Sequence, residues 1–156
     1  MIKVQEASFD PGEVINEVTK ASEGGAVVSF LGQVRAEDCA GTDAVTGLYL
    51  EHHPTMTVAS IQKIVDEARE RWETEQIRVI HRVGTLKPGE PIVLVCVSAA
   101  HRRAAFETAD FLMDYLKSRA LFWKKEMRVS GSEWVEPRAE DYQDADRWAR
   151  QKQGDN

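Results

Sequence analysis

Only two cysteines, Cys39 and Cys96, occur in this chain. They are too few for a disulfide framework and too far apart in sequence to form a metal-ligating pair, which suits a reducing compartment. No apolar run approaches the length of a membrane span, and MIKVQEASFD lacks the apolar core of a signal peptide, so a soluble, cytoplasmic protein is expected. Basic charge is also short: the formal net charge is −6. That balance argues against a general nucleic-acid surface or an anionic membrane surface, both of which reward an excess of Lys and Arg. No phosphate-cradling or dinucleotide-binding glycine fingerprint is present. Histidine is limited to four residues, and the adjacent pair His52-His53 is a poor ligand set, because neighbouring residues of a strand point to opposite faces. Internal repeats and low-complexity segments are absent.

What remains is enough for one domain with a real core. The reading is a single domain over residues 1–141 followed by a charged, helical tail over 142–156. Residues 2–8 alternate weakly as a strand. Asp10, Pro11 and Glu13 then supply a cap, a first-turn proline and a capping-box acid for a short helix ending near Ala21. GAVVSFLGQV at 25–34 is apolar and β-branched enough to predict a central strand, followed by a polar loop from Arg35 to Ala44. VTGLYLEHH at 45–53 predicts the next strand, closed by Pro54. Val58, Ile61, Ile64, Val65, Ala68 and Trp72 recur at helical spacing after it. QIRVIHRVGTL at 76–86 alternates with period two and turns through Lys87-Pro88-Gly89-Glu90 into PIVLVCVSAA, predicting an antiparallel pair. A further helix carries a buried stripe of Ala105, Ala109, Leu112, Met113 and Leu116. LFWKKEMRV and EWVEP then flank Ser130-Gly131-Ser132 as a hairpin. Strands joined both by helices and by direct hairpins make the fold class α+β, with a small antiparallel subdomain.

Two cationic clusters bracket the third helix. Its first turn carries His101, Arg102 and Arg103 where acidic side chains normally sit, a placement that favours a bound anion. Its far end carries Lys117, with Lys124 and Lys125 soon after, beside Phe122 and Trp123. A lysine partly desolvated by aromatic neighbours is suited to acid, base or electrostatic roles. Cys96 reads as a small core residue, and Cys39 as a weak candidate for a sulfur-carrying thiol.

Taken in order, GAVVSFLGQVR, LEHHPTM, IVDEARERW, VIHRVGTLKPGE, VSAAHRRAAFE, MDYLKSRALFWKKE and WVEPRAED resemble the large, catalytic subunit of molybdopterin synthase over roughly residues 24–141. The resemblance implies an α/β hammerhead fold with an antiparallel subdomain. It also implies conversion of cyclic pyranopterin monophosphate (precursor Z) into molybdopterin by installing two dithiolene sulfurs. The sulfur would arrive as a C-terminal Gly-Gly thiocarboxylate on a small ubiquitin-like partner, and two large subunits would form the dimeric core of a heterotetramer. No metal or organic cofactor is implied. By the same resemblance, the substrate-binding residues map onto Gln33, Val34, Arg35, His101, Arg102, Lys125 and Glu126, and Arg138 enters the neighbouring subunit's pocket. Lys117 and Lys124 map onto the catalytic positions. Leu121 stands where the family often has proline, and Gln33 where it commonly has lysine. Two other readings of the lysines are a Schiff-base enzyme acting on carbonyl substrates and a phosphate-binding module without catalysis.

Overall fold

Described by a computed structural model over residues 1–35 and 43–154, the chain builds two sheets that share a corner. Asp10 caps the first helix, α1 (Pro11–Ala21): its Oδ1 accepts from the backbone N–H groups of Gly12 at 2.7 Å and Glu13 at 3.2 Å. The predicted cap therefore forms, and it satisfies two donors that the helix itself cannot.

The first sheet contains β1 (Ile2–Gln5), β2 (Ala26–Gln33), β4 (Gln76–Arg82) and β6 (Pro91–Ala99), in the order β1-β4-β6-β2. β1 runs parallel to β4, and the other two pairings are antiparallel. The predicted pairing of β4 with β6 is present. The expected central position of β2 is not: it is an edge strand, and its Phe30 and Leu31 are 42% and 38% exposed. β6 takes the centre instead, with every residue from Val93 to Ala99 buried. The turn at Lys87–Glu90 delivers β6 directly alongside β4, while β2 reaches the sheet through α1 and pairs on the far side of β6.

The second sheet is antiparallel throughout, in the order β5-β3-β7-β8: β3 (Val45–His52), β5 (Gly84–Leu86), β7 (Phe122–Arg128) and β8 (Gly131–Val135). The run 76–86, read as one strand, is therefore divided between the two sheets. Gly84 has φ of 78°, a backbone region that side chains disfavour, and there the chain leaves the first sheet for the second. The hairpin expected around Ser130-Gly131-Ser132 joins β7 to β8.

Helices α2 (Met56–Arg71) and α3 (Arg102–Ser118) pack on one face of the first sheet, and α1 packs on the other through Val14, Ile80 and Leu94. The α3 stripe is wider than predicted. Thr108, Phe111 and Tyr115 are buried along with Ala105, Ala109, Leu112 and Leu116, because a second flank is covered by α4 (Ala139–Gly154). The charged tail is thus a docked helix: Trp148, 3% exposed, meets Trp72 and Phe111 edge-on with ring centroids 5.5 Å apart in each case. Its Nε1 donates to Asp114 Oδ2 at 2.7 Å.

Candidate functional site

The corner where α3 runs into β7 gathers most of the predicted site residues. Only Arg119, Ala120 and Leu121 separate the end of α3 from the start of β7. This link is pinned to the start of α2, where Thr57 Oγ1 donates to Leu121 O at 2.7 Å and Leu121 N–H donates to Ser60 Oγ at 3.5 Å. His53 serves the backbone beside this link. Its Nδ1 accepts the Met56 N–H at 3.2 Å and so caps α2, where Thr55 offers no side-chain cap. Phe122 stacks on His81 with ring centroids 3.9 Å apart. Burial foremost, with the charge of His52 adding to it, pushes the His81 imidazole down to about 4 against the opposing effect of its bond to Arg82 O. At neutral pH it is therefore an uncharged stacking plate under β7.

Along β7 the period of two divides the cationic run between two faces. Lys124, Glu126 and Arg128 form a chain on one face: Lys124 Nζ lies 3.2 Å from Glu126 Oε1, and Arg128 Nη2 donates to Glu126 Oε2 at 2.9 Å. Burial alone would raise the Glu126 carboxyl, but hydrogen bonds from Lys124 and Arg128, with their charges, hold it below the usual carboxylate value. Glu126 is therefore an anion at neutral pH that orients Lys124. Lys125 goes to the opposite face, where its Nζ lies 5.2 Å from the ring centre of Trp134. The structure does not bring Lys125 to the face of Lys124, which departs from its expected place in a shared pocket.

The end of β2 reaches the same corner. Leu50 and Leu48 are the cross-strand partners of Lys124 and Glu126, and both pack against Val34 and Leu86. Val34 is buried and its main chain is spent on structure: its N–H donates to Glu90 O at 3.0 Å and its C=O accepts from Gly89 N–H at 2.8 Å. Gln33 is similarly tied by its Nε2 to Gly89 O at 3.3 Å. These two residues position Arg35, which is exposed directly after them. Cys39 lies outside the described residues.

Lys117 is bound into this corner from a second direction. β8 ends at Val135, the register partner of Lys124, and a few residues later α4 begins. There Asp141 places its Oδ1 3.3 Å from Lys117 Nζ, while its Oδ2 accepts the Arg138 N–H at 2.9 Å. Lys117 and Lys124 are thus joined by two short stretches of chain, 117 to 124 through the α3–β7 link, and 135 to 141 through Pro137 between the register partner of Lys124 and the carboxylate beside Lys117. Sequence reasoning missed Asp141 altogether. Its local signal was the acid three residues after Arg138, which fits an N-terminal capping position.

His101 and Arg102 are elsewhere. His101 is the N-cap of α3, with no side-chain cap bond and no acid in the first turn, and His101, Arg102 and Arg103 are all exposed. This end of the helix does have the cationic, donor-rich character of an anion site. From Arg102 to Lys117, however, the helix rises about 22 Å at 1.5 Å per residue. Within one chain the two clusters form separate sites.

A protein-family model described as MoaE protein matches residues 4–119. The chain is 48% identical over 147 residues to a molybdopterin synthase catalytic subunit of Vibrio cholerae, covering 94% of this chain and 97% of that protein. It is 49% identical over 148 residues to the protein of the same description from Pseudomonas aeruginosa, covering 94% and 97% respectively. Among solved structures, a molybdopterin biosynthesis MoaE protein from Burkholderia ambifaria superposes with a TM-score of 0.77 at 39% identity, covering 96% of this chain and 97% of that one.

Proposed function

The chain belongs to the MoaE protein family, and from that premise we propose that the α3–β7 corner is the sulfur-transfer site of a molybdopterin synthase. The protein is a molybdopterin synthase catalytic subunit, an enzyme of molybdenum cofactor biosynthesis. A subunit described as catalytic implies a second one. The partner we assign is a small ubiquitin-like carrier whose C-terminal Gly-Gly thiocarboxylate enters the corner. The substrate is cyclic pyranopterin monophosphate.

The observation that carries this reading is a pair of lysines each held by its own carboxylate, Lys124 by Glu126 and Lys117 by Asp141, around one corner of an acidic chain. Such a chain needs a concentrated cationic site to hold an anionic substrate and an anionic thiocarboxylate together. The sulfur of the thiocarboxylate bonds to a side-chain carbon of the pterin as a C–O bond at that carbon breaks, its oxygen leaving as water or staying on the phosphate, and the carrier is left joined through a thioester. Water then adds to the acyl carbon, the acyl C–S bond breaks, and the sulfur stays on the pterin. The oxyanion formed at that carbon is where Lys117 acts, with Lys124 as its electrostatic partner. Arg35 steadies the anionic tail or substrate at the mouth of the site.

His101 and Arg102 bind the substrate phosphate, and because α3 separates them from Lys117 in their own chain, they do so in the pocket of a second chain. The protein therefore works as a homodimer at the core of a heterotetramer, in the cytoplasm. Arg138 is exposed, and its main chain is bound to Asp141 beside its own Lys117. Its side chain is assigned to the neighbour's pocket.

Reconstitution tests the function. Mixed with cyclic pyranopterin monophosphate and a thiocarboxylated small carrier, the protein should form the dithiolene product, two sulfurs per pterin, as read by mass spectrometry. No product, with the carrier still thiocarboxylated and the pterin unchanged, would reject the assignment. Borohydride trapping of a covalent imine on Lys117 would instead favour a Schiff-base enzyme.

A further inference from the structure

We propose that Asp141 is a positioning residue for Lys117, delivered to the site by the docking of α4. The inference rests on Lys117 being the reactive lysine of the function proposed above, and it gives Asp141 a role in the reaction where that reading uses only its contact. An ion pair between exposed side chains ordinarily contributes little, because two mobile groups must be held together in water. Here the two partners are unequal. Lys117 is 57% exposed on its side chain, whereas Asp141 is only 19% exposed.

Three features fix the carboxylate before the lysine meets it. Asp141 Oδ2 accepts the Arg138 N–H, and the Asp141 N–H donates back to Arg138 O at 3.0 Å, a closed turn at the start of the helix. The first turn of α4, which also contains Glu140, is where the helix dipole favours negative charge. Further along α4, Arg147 Nη2 reaches Asp110 and Asp114 at 2.7 Å each, and Trp148 bonds to Asp114. Asp110 and Asp114 lie on α3 itself, about two turns and one turn before Lys117 respectively. The helix that bears the lysine is therefore clamped to the helix that bears its carboxylate. A lysine has four rotatable side-chain bonds, and a fixed anion at its tip removes much of that freedom in the geometry the reaction needs.

The test separates positioning from folding. Asp141→Asn keeps an oxygen that can accept the Arg138 N–H but loses the charge that holds Lys117, while Asp141→Glu keeps the charge. In single-turnover reconstitution with the thiocarboxylated carrier, Asp141→Asn should lower the rate constant on the order of 10-fold. The KM for the pterin and the melting temperature should be nearly unchanged, and Asp141→Glu should recover most of the loss. Placed on Lys117→Ala, Asp141→Asn should cost nothing further, since the group it orients is gone. A wild-type rate for Asp141→Asn while Lys117→Ala is inactive would overturn the inference and leave the role of Lys117 intact. An equal further loss on Lys117→Ala would also overturn it, by showing that Asp141 acts elsewhere. An active Lys117→Ala enzyme would instead remove the function on which the inference rests.

Discussion

Replacing Lys117 by alanine is expected to lower the rate constant of sulfur transfer about 100- to 10,000-fold, the range for removing a positioned acid, base or charge from a reaction centre. Folding should survive. Lys117 lies in the last turn of α3, its side chain is more than half exposed, and alanine is the best helix former. The pair with Asp141 is lost, but a surface ion pair contributes no more than about 1 kcal/mol. Circular dichroism and a melting curve beside the single-turnover rate would separate the two effects. A folded Lys117→Ala protein with the wild-type rate would exclude the lysine from the chemistry. Lys124→Ala should also slow the reaction, since Glu126 holds Lys124 toward the same corner.

The largest effect on stability is expected at Trp148. Truncating a buried tryptophan to alanine costs about 3–5 kcal/mol, and for a chain of this size each kcal/mol lowers the melting temperature by about 2–4 °C. Trp148→Ala should therefore melt roughly 10 °C lower. The indole packs edge-on against both Trp72 and Phe111 and donates to Asp114, and the residue's main-chain carbonyl accepts from Arg71 Nη1 at 3.0 Å. All of these tie α4 to the α2–α3 layer. A change of only one or two degrees would mean that α4 does not stay docked in solution. Thermal melting at fixed protein concentration, with and without the carrier, decides it.

Local chemistry made much of this fold legible from sequence. The Asp10-Pro11-Glu13 start, the period-two runs of β4 and β6, the apolar stripe of α3 and the Gly131 hairpin all report short-range constraints. What sequence could not show was long-range competition. The runs of β2 and β6 are similarly apolar, and which one sits at the centre depended on which is delivered beside β4. The charge of residues 139–154 concealed that Ala145 and Trp148 face α3. Of the site, the lysines and Arg35 were legible as residue types, and the roles proposed for them come from the resemblance. The contact of Asp141 with Lys117 spans 24 positions, with a hairpin between them, and no local pattern encodes it. Nor could cationic residues at both ends of α3 reveal that they lie about 22 Å apart along the helix.

Whether those two ends meet in one pocket is decided most directly by exchanging subunits between Lys117→Ala and Arg102→Ala proteins. Alone, the first should be inactive. The second should bind substrate about 10- to 150-fold more weakly, the effect of losing one charge-assisted bond to a phosphate, and should be nearly silent at limiting pterin. In a mixed dimer, one pocket combines an intact Lys117 with the partner's intact Arg102, and the other lacks both. After equimolar exchange, about a quarter of the wild-type activity should return at limiting substrate, because half the dimers are mixed and each has one competent site. The same exchange with Arg138→Ala assigns that arginine to its own or its neighbour's pocket. No recovery, with mixed dimers confirmed by native mass spectrometry, would contradict a site shared between chains.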